Sequence, residues 1–199
     1  MLSMADGWLV ASSDFPQGLI SYETSPNFES RPLEAVVSLL VIHNISLPPG
    51  QFGGRYVHDL FLNRLDCNAD DYFEQLENLR VSAHFFIDRA GSVCQFVSCD
   101  NRAWHAGRSS FQGRENCNDF SIGIELEGTD ETPFSEGQYQ MLAQLTRTLM
   151  SHYPITAVVG HADIAPGRKT DPGHCFDWQA YQSLSLLPSE SLPFQSFKA

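Results

Sequence analysis

The sequence has few basic residues and no long apolar run. Lysine and arginine together number 12 against 24 aspartate and glutamate residues, so the formal net charge is −12. An electric field of that sign repels phosphate backbones and anionic membrane surfaces. The longest apolar run, from Ala35 to Ile42, is interrupted only by Ser38 and falls far short of the ~20 residues that a membrane-spanning helix needs. The composition therefore predicts neither nucleic acid nor a membrane as a partner.

The chain also lacks cysteine pairs and an export signal. Its 5 cysteines are an odd number without a C-x-x-C pair, which suits neither a disulfide framework nor a cysteine-rich zinc site. The N-terminal segment MLSMADGWLVASSDF has no basic n-region and no sustained apolar h-region. We therefore expect a cytoplasmic protein whose cysteines are reduced and mainly structural, although one could be a reactive thiol.

Strand and helix patterns alternate along a chain whose length of 199 residues predicts one domain. Strands are predicted at Ala35–Ile42, Val81–Ile87, Val93–Val97, Phe120–Leu126 and Thr156–Val159, and helices at Asp71–Leu79, from Ser135 to Pro154, and at Asp177–Leu184. The order predicts an α+β fold, with a mixed β-sheet flanked by α-helices.

Both ends of the chain have turn-rich patterns. Prolines and glycines predict an irregular segment over the opening ~30 residues. Prolines and serines in the last residues predict a loosely ordered tail at 186–199, after a domain that spans 1–185. The best-marked element is the helix after Phe134, because Ser135 and Gln138 have capping-box spacing and Phe134 and Tyr139 have the spacing of a hydrophobic staple.

Two histidines each follow a short buried strand. His43 and His161 are therefore expected at strand C-terminal ends, where open α/β sheets place functional groups. Asp171 lies in a loop rich in proline and glycine that is able to turn back toward His161. Two imidazoles and one carboxylate are the usual ligand set of a catalytic zinc ion, with the fourth position open. The alternatives are hydrogen-bonded core histidines, or ligation by one of three competing residues: His84, Asp163 and His174.

Two further residues have positions suited to catalysis. Glu125 shares a strand face with Ser121 and Gly123, whose side chains are too small to fill a core, so we expect that face to border a cleft. A carboxylate beside a metal is the usual general base for water. Lys169 precedes Asp171 by two residues, within reach of a developing oxyanion. The simpler alternatives are a solvated strand face for Glu125 and a solvated loop for Lys169.

One tryptophan and three arginines are candidate substrate contacts. The indole of Trp104 lies on a predicted loop, where a flat apolar face can stack on a sugar ring. Arg80, Arg108 and Arg114 are scarce cations in an acidic chain, and their forked guanidinium groups suit carboxylates. A buried tryptophan and internal salt bridges would explain these residues equally well.

Five separated stretches resemble the zinc amidase and peptidoglycan-recognition superfamily, and within it the cytosolic amidases of Gram-negative cell-wall recycling. The stretches are Val41–Gly50, Arg80–His84, Arg102–Gly107, Asn118–Gly128 and Gly160–Gly173. The resemblance extends from Trp8 to Leu184 in unbroken order. It implies a mixed sheet with one Zn²⁺ per chain at the floor of a groove.

The resemblance also implies residue roles. The zinc ligands of that family match His43, His161 and Asp171, the acid that activates water matches Glu125, and the lysine that stabilises the tetrahedral intermediate matches Lys169. Asn44 and His105, which lie within two of the stretches, join Trp104 and the three arginines as expected substrate contacts. The family often has a basic residue where this chain has Asn116, so the group that holds the diaminopimelate end of the substrate stays open.

We therefore expect a monomeric hydrolase that cleaves the amide between the lactyl group of anhydro-N-acetylmuramic acid and L-Ala. Its substrate would be a small anionic glycopeptide, and loss of the activity would alter β-lactamase induction. The alternatives are an amidase of the same chemistry that acts on intact peptidoglycan, and a recognition module that binds peptidoglycan without cleaving it.

Overall fold

The computed structural model describes residues 1–195 of the chain. Its strands are β1 Leu2–Ala5, β2 Trp8–Ala11, β3 Ile20–Tyr22, β4 Phe28–Ser30, β5 Leu39–Ile45, β6 Phe85–Ile87, β7 Val93–Gln95, β8 Asn101–Ala103, β9 Ser110–Phe111, β10 Arg114–Glu115, β11 Ser121–Glu127 and β12 Ala157–Gly160. Its α-helices are α1 Tyr56–Phe61, α2 Glu136–His152, α3 His161–Ile164 and α4 Trp178–Ser185, and short 3-10 helices cover Asp71–Leu76, Cys117–Asp119 and Ser189–Ser191.

A central six-stranded sheet organises the fold. Its strand order is β12-β5-β11-β6-β7-β3. The first four strands are parallel, β7 is antiparallel to β6, and β3 at the edge is parallel to β7. The predicted mixed sheet and the predicted hairpin of β6 and β7 are confirmed. Strands β6 and β12 carry no polar side chain, as is typical of parallel strands covered on both faces, whereas β11 alternates apolar residues with Ser121, Gly123, Glu125 and Glu127.

One face of the sheet packs against α2 and α4. Ile42 of β5 and Ile124 of β11 are fully buried there, together with Leu142 and Leu145 of α2. Burying each such side chain stabilises the fold by roughly 1.5–3 kcal/mol. The opposite face presents the alternate residues of the same strands. Because the helices fill the first face, polar chemistry is confined to the second.

Helix α2 confirms the strongest signal in the sequence. The Ser135 hydroxyl accepts a hydrogen bond from the Gln138 amide at 3.1 Å, and the Gln138 side chain accepts one from the Ser135 amide at 3.0 Å. The rings of Phe134 and Tyr139 lie 6.4 Å apart, in edge-on contact. Pro154, which lacks an N–H group, follows the end of the helix.

Several elements differ from their predictions. The opening segment contains the β1–β2 hairpin, whose turn residues Asp6 and Gly7 both have positive φ. An Asp-Gly pair is a strong hairpin signal. The predicted helix after Asp71 is a 3-10 helix ending at Leu76, and α1 was not predicted.

Strand β5 begins four residues later than predicted and continues to Ile45. His43 lies inside the strand and not after it. The reason is that β5 pairs with β11 as far as Ile45, which lies opposite Glu127.

The segment after residue 185 packs on the domain as far as it is described. Leu187 and Leu192 are buried in the main core. Residues 196–199 of the predicted tail lie outside the described residues, and the boundary at 185 stays a prediction. Within residues 1–195, no helix is long and apolar enough to cross a membrane.

Candidate active site

Three parallel strands bring the predicted site residues to one end of the sheet. The register of β5 and β11 sets His43 opposite Glu125. Strand β12 pairs Gly160 with Ile42 of β5. His161, the first residue of α3, therefore comes next to His43. The order of strands alone accounts for this meeting of residues far apart in sequence.

Asp171 completes the cluster because the loop after α3 folds back. The Asp171 carbonyl accepts a hydrogen bond from the Ala162 amide at 2.9 Å. Its Oδ2 atom lies 3.0 Å from His43 Nδ1 and 3.1 Å from His161 Nδ1. The two Nδ1 atoms are 3.0 Å apart. The structure thus brings together the three residues that the sequence pattern singled out.

Hydrogen bonds on the far side of each imidazole determine which nitrogen carries the proton. His161 Nε2 lies 3.0 Å from the Ala106 carbonyl, which only accepts, so Nε2 is protonated. For His43 the protonated nitrogen follows from a series of three hydrogen bonds. The Ser121 hydroxyl donates to the Cys117 carbonyl at 2.6 Å, His105 Nε2 lies 3.1 Å from the Ser121 hydroxyl, and His43 Nε2 lies 2.9 Å from His105 Nδ1.

Because the Ser121 proton is committed to Cys117, that hydroxyl accepts from His105 Nε2, and His105 Nδ1 accepts from His43 Nε2. The Nδ1 atoms of His43 and His161 therefore both carry lone pairs that face each other and a carboxylate. Such an arrangement is repulsive unless a cation lies between the atoms.

The spacing of the cluster suits a metal ion. A tetrahedral Zn²⁺ with bonds of about 2.0–2.1 Å separates its ligand atoms by roughly 3.3 Å, close to the 3.0–3.1 Å observed. Burial lowers the pKa of His43 to about 4, so the imidazole is neutral near pH 7, as ligation requires. Although burial raises the pKa of Asp171, the adjacent His161 and His43 side chains hold it below its usual range. The carboxylate is thus charged.

Glu125 lies beside this cluster. Its Oε1 atom is 4.0 Å from His43 Nδ1, and within residues 1–195 no group hydrogen-bonds its buried Oε2 atom. Burial and the charge of Asp171 raise the pKa of Glu125 well above its ordinary value. The protonated form of this side chain is therefore favoured more than in an exposed glutamate. Lys169 is exposed on the adjacent loop and lines the same cavity.

The small residues on the face of β11 make room for a histidine. The face borders a cavity at Glu125, as predicted, whereas at Ser121 and Gly123 the ring of His105 covers it. A Cβ atom at Gly123 would come within 2.4 Å of His105 Cγ. His105, expected to contact substrate, is buried and bonded through both ring nitrogens. Sequence reasoning missed this role, although Ser121 and Gly123 were the signal for it.

A cavity of about 670 Å³ opens in front of the cluster. Asn44 and the half-buried Trp104 line it together with Glu125, His105 and Lys169. The Asn44 amide donates to the Asp130 carboxylate at 2.7 Å. One wall is apolar and is formed by Leu60, Phe61, Tyr72, Leu76 and Leu79. The cavity thus combines an aromatic face, polar groups and an apolar wall.

The three predicted arginines lie at different distances from this cavity. Arg80 is exposed and follows the lining residue Leu79 in sequence, and its guanidinium donates to the Glu77 and Leu79 carbonyls. Arg108 is exposed beside a neighbouring cavity of about 480 Å³ that Asn116 also lines. The Arg114 guanidinium lies 3.6 Å from the centroid of the Phe120 ring, and the structure does not bring it to the cluster.

The competing ligand candidates have other partners. The Asp163 carboxylate accepts from the Gly160 amide at 2.7 Å, and the exposed His174 pairs with Glu131 at 3.4 Å. His84 Nδ1 accepts from the Gly123 amide at 3.0 Å. Its Nε2 atom lies 3.1 Å from the Asn101 carbonyl and 3.2 Å from the half-buried Arg31, whose guanidinium donates to the Cys99 and Ser121 carbonyls. None of these three side chains belongs to the cluster of His43, His161 and Asp171.

Comparison with known proteins adds independent information. The family model described as N-acetylmuramoyl-L-alanine amidase matches residues 33–174. The 1,6-anhydro-N-acetylmuramyl-L-alanine amidase AmpD of Salmonella typhimurium is 51% identical over 185 residues, which are 92% of this chain and 95% of that protein.

Two solved structures are informative. A crystal structure of a selenomethionine derivative of AmpD is 50% identical, with a TM-score of 0.85 over 92% of this chain and 99% of that chain. The amidase AmiD from Escherichia coli, in complex with anhydro-N-acetylmuramic acid-L-Ala-D-gamma-Glu-L-Lys, is 28% identical with a TM-score of 0.54, over 92% of this chain and 65% of that chain.

Proposed function

This chain belongs to the N-acetylmuramoyl-L-alanine amidase family, and from that membership we propose that it hydrolyses the amide between anhydro-N-acetylmuramic acid and L-Ala in muropeptides of cell-wall recycling. The observation that carries the proposal is the convergence of His43, His161 and Asp171 on one point at the floor of an open cavity. The identity extends over almost the whole length of the relatives that share this activity.

We propose that His43, His161 and Asp171 hold one Zn²⁺. A bound Zn²⁺ supplies Lewis acidity, which lowers the pKa of water and polarises a carbonyl. The donor set supports this assignment, because two neutral imidazoles and one carboxylate leave the site with a net positive charge once a divalent ion binds. Catalytic zinc sites with three protein ligands leave the fourth ligand to water or substrate.

The chain's own residues provide the proton transfers. Glu125 accepts a proton from the attacking water, whose oxygen forms the new bond to the lactyl carbonyl carbon. The Lys169 ammonium stabilises the negative charge that develops on the carbonyl oxygen. Glu125 then passes its proton to the nitrogen of L-Ala as the carbon–nitrogen bond breaks. The raised pKa of Glu125 suits both steps, since the group must accept and release a proton in each cycle.

The cavity suits a sugar linked to an anionic peptide. Trp104 offers its indole to the sugar ring, and Asn44 offers polar contacts near the scissile amide. Arg80 lies between two lining residues in the sequence, and its charge would attract the carboxylates of the stem peptide in a chain of net charge −12. Arg108 lines the neighbouring cavity, and its substrate role stays a prediction.

We further propose that the protein acts in the cytoplasm as a monomer. The free state of its 5 cysteines supports a reducing compartment. If the activity removes muropeptides there, its loss would let them accumulate and change β-lactamase induction.

The test compares substrates and metal states. Purified protein is incubated with anhydro-N-acetylmuramyl-tripeptide or with intact sacculi, and released products are separated by liquid chromatography. We expect rapid release of the peptide from the anhydro-muropeptide, little release from sacculi, and loss of turnover after chelation that added Zn²⁺ restores. Preferential release from sacculi would favour an amidase acting on intact wall. Binding without cleavage in the zinc-loaded protein would show a recognition module.

A further inference from the structure

A second group of metal-ligating side chains meets at the opposite edge of the sheet. Glu23 directly follows the edge strand β3, Cys94 lies in the middle of β7, and His58 lies on α1. One ligand atom from each of these residues lies within 4.8 Å of the other two. The pairing of β3 with β7, which sets Ser21 opposite Cys94, brings the carboxylate beside the thiol. None of these residues lines the amidase cavity.

The neighbouring side chains hold this group in place. The His58 ring packs edge-on against Phe86 and Phe96, with centroid distances of 5.4 and 5.2 Å. Glu23 Oε1 lies 2.8 Å from His58 Nδ1, and the other carboxylate oxygen accepts from Arg55 at 2.7 Å. A carboxylate held on one oxygen and an imidazole held between two rings lose little freedom on binding an ion. Such supporting contacts are typical of metal ligands.

The chemistry of the group distinguishes a metal site from a nucleophile. Cys94 is only 3% exposed, so a substrate carbon cannot reach its sulfur. A thiophilic cation displaces the thiol proton on binding. Thiolate and imidazole together favour Zn²⁺ or Co²⁺ over Mg²⁺ and Ca²⁺.

We infer that Glu23, His58 and Cys94 form a second binding site for a thiophilic divalent cation such as Zn²⁺, separate from the amidase centre. One thiolate and one carboxylate balance the charge of the ion. The His58 and Glu23 side chains are 16% and 24% exposed, which provides a route for its entry. The ion would tie α1 to the sheet edge. Since Leu60 and Phe61 of α1 line the amidase cavity, it would also stabilise one wall of that cavity.

Cobalt titration separates the two sites, because the amidase ligands include no sulfur. The full-length chain is freed of metal with a chelator, then titrated with Co²⁺ while the thiolate-to-cobalt charge-transfer absorption is followed in the near ultraviolet. We expect two equivalents of Co²⁺ to bind, with the charge-transfer band belonging to one of them. Asp171→Asn removes an amidase ligand and is expected to keep the band.

Variants assign the band to its residues. Cys94→Ser is expected to abolish the band and leave one equivalent of Co²⁺ bound. The matched control Cys67→Ser changes a free cysteine outside the cluster and is expected to keep the band and both equivalents of Co²⁺. If Cys94→Ser does not fold, Glu23→Gln at a partly exposed side chain is expected to weaken Co²⁺ binding at the band-forming site. A titration of the wild-type chain that ends at one equivalent without the band would overturn the inference. So would a band that persists in Cys94→Ser.

Discussion

Adding one methyl group at Gly123 tests whether the strand face that holds His105 also controls the metal centre. In Gly123→Ala the new Cβ atom would lie 2.4 Å from His105 Cγ and 2.5 Å from its Nδ1 atom. Ordinary van der Waals contact begins at 3.4 Å, so the ring must move by roughly 1 Å. A shift of that size is enough to break the 2.9 Å contact between His43 Nε2 and His105 Nδ1.

Gly123→Ala is expected to lower both the stability of the fold and the affinity for zinc. Overpacking a buried site costs about 1–3 kcal/mol of stability. Losing the group that orients a ligating histidine lowers metal affinity or activity by roughly 10–100-fold. Zinc affinity is measured by competition with a chromophoric chelator, alongside kcat and KM for the anhydro-muropeptide. We expect zinc affinity and kcat to fall together while KM changes little.

Two control variants separate the orienting role from general destabilisation. Gly137→Ala on α2 places a Cβ atom 3.0 Å from the Ala90 carbonyl, away from His105, and should leave zinc affinity unchanged. Ser121→Ala removes the hydroxyl that fixes the His105 proton without adding volume, and should weaken zinc binding as Gly123→Ala does. Normal zinc affinity in a folded Gly123→Ala protein would refute the reasoning.

Four further predictions concern single side chains. Glu125→Gln should lower kcat by about 100-fold or more at unchanged zinc content, because the general base is lost; a near-normal kcat would remove that role. Lys169→Met should lower kcat by roughly 100-fold through loss of oxyanion stabilisation, and steady-state kinetics that show a change only in KM would contradict it. Arg80→Ala should raise KM for substrates with a charged stem peptide, whereas unchanged KM would dismiss the contact. Burial and the charge of Arg31 lower the pKa of His84 to about 3. Since this group is protonated near pH 6.5 in the unfolded chain, the free energy of unfolding should decrease as the pH drops from about 6.5 toward 3. Urea unfolding of the metal-free protein at pH 7 and pH 5 should show a smaller decrease for His84→Asn than for the wild-type chain.

Short-range patterns predicted much of this fold correctly. The capping box at Ser135 and the alternation along β11 depend on neighbours within a few residues, so each pattern specifies its own element. The helix α1 escaped prediction because it has only six residues, Tyr56–Phe61, and follows a loop rich in glycine. Its apolar side is defined by contacts with distant strands, as is typical of helices too short to be stable alone.

The candidate site was predictable only in part for a related reason. His43, His161 and Asp171 could be proposed from their places after strands and in a turning loop, and the family resemblance strengthened that assignment. The role of His105 could not be proposed in the same way. It depends on which ring nitrogen faces His43 and on the space that Gly123 leaves, and both result from the packing of separate strands.

The construction of the metal cluster from distant parts of the chain also has a consequence for folding. His43 lies 118 residues from His161 and 128 residues from Asp171, so a nascent or partly folded chain holds no more than isolated ligands. Contacts of such long range form late, because the intervening loops must close first. Hydrolytic competence should consequently arise in a single step at the end of folding, and an immature copy of the enzyme would neither retain the proposed ion nor cleave its substrate.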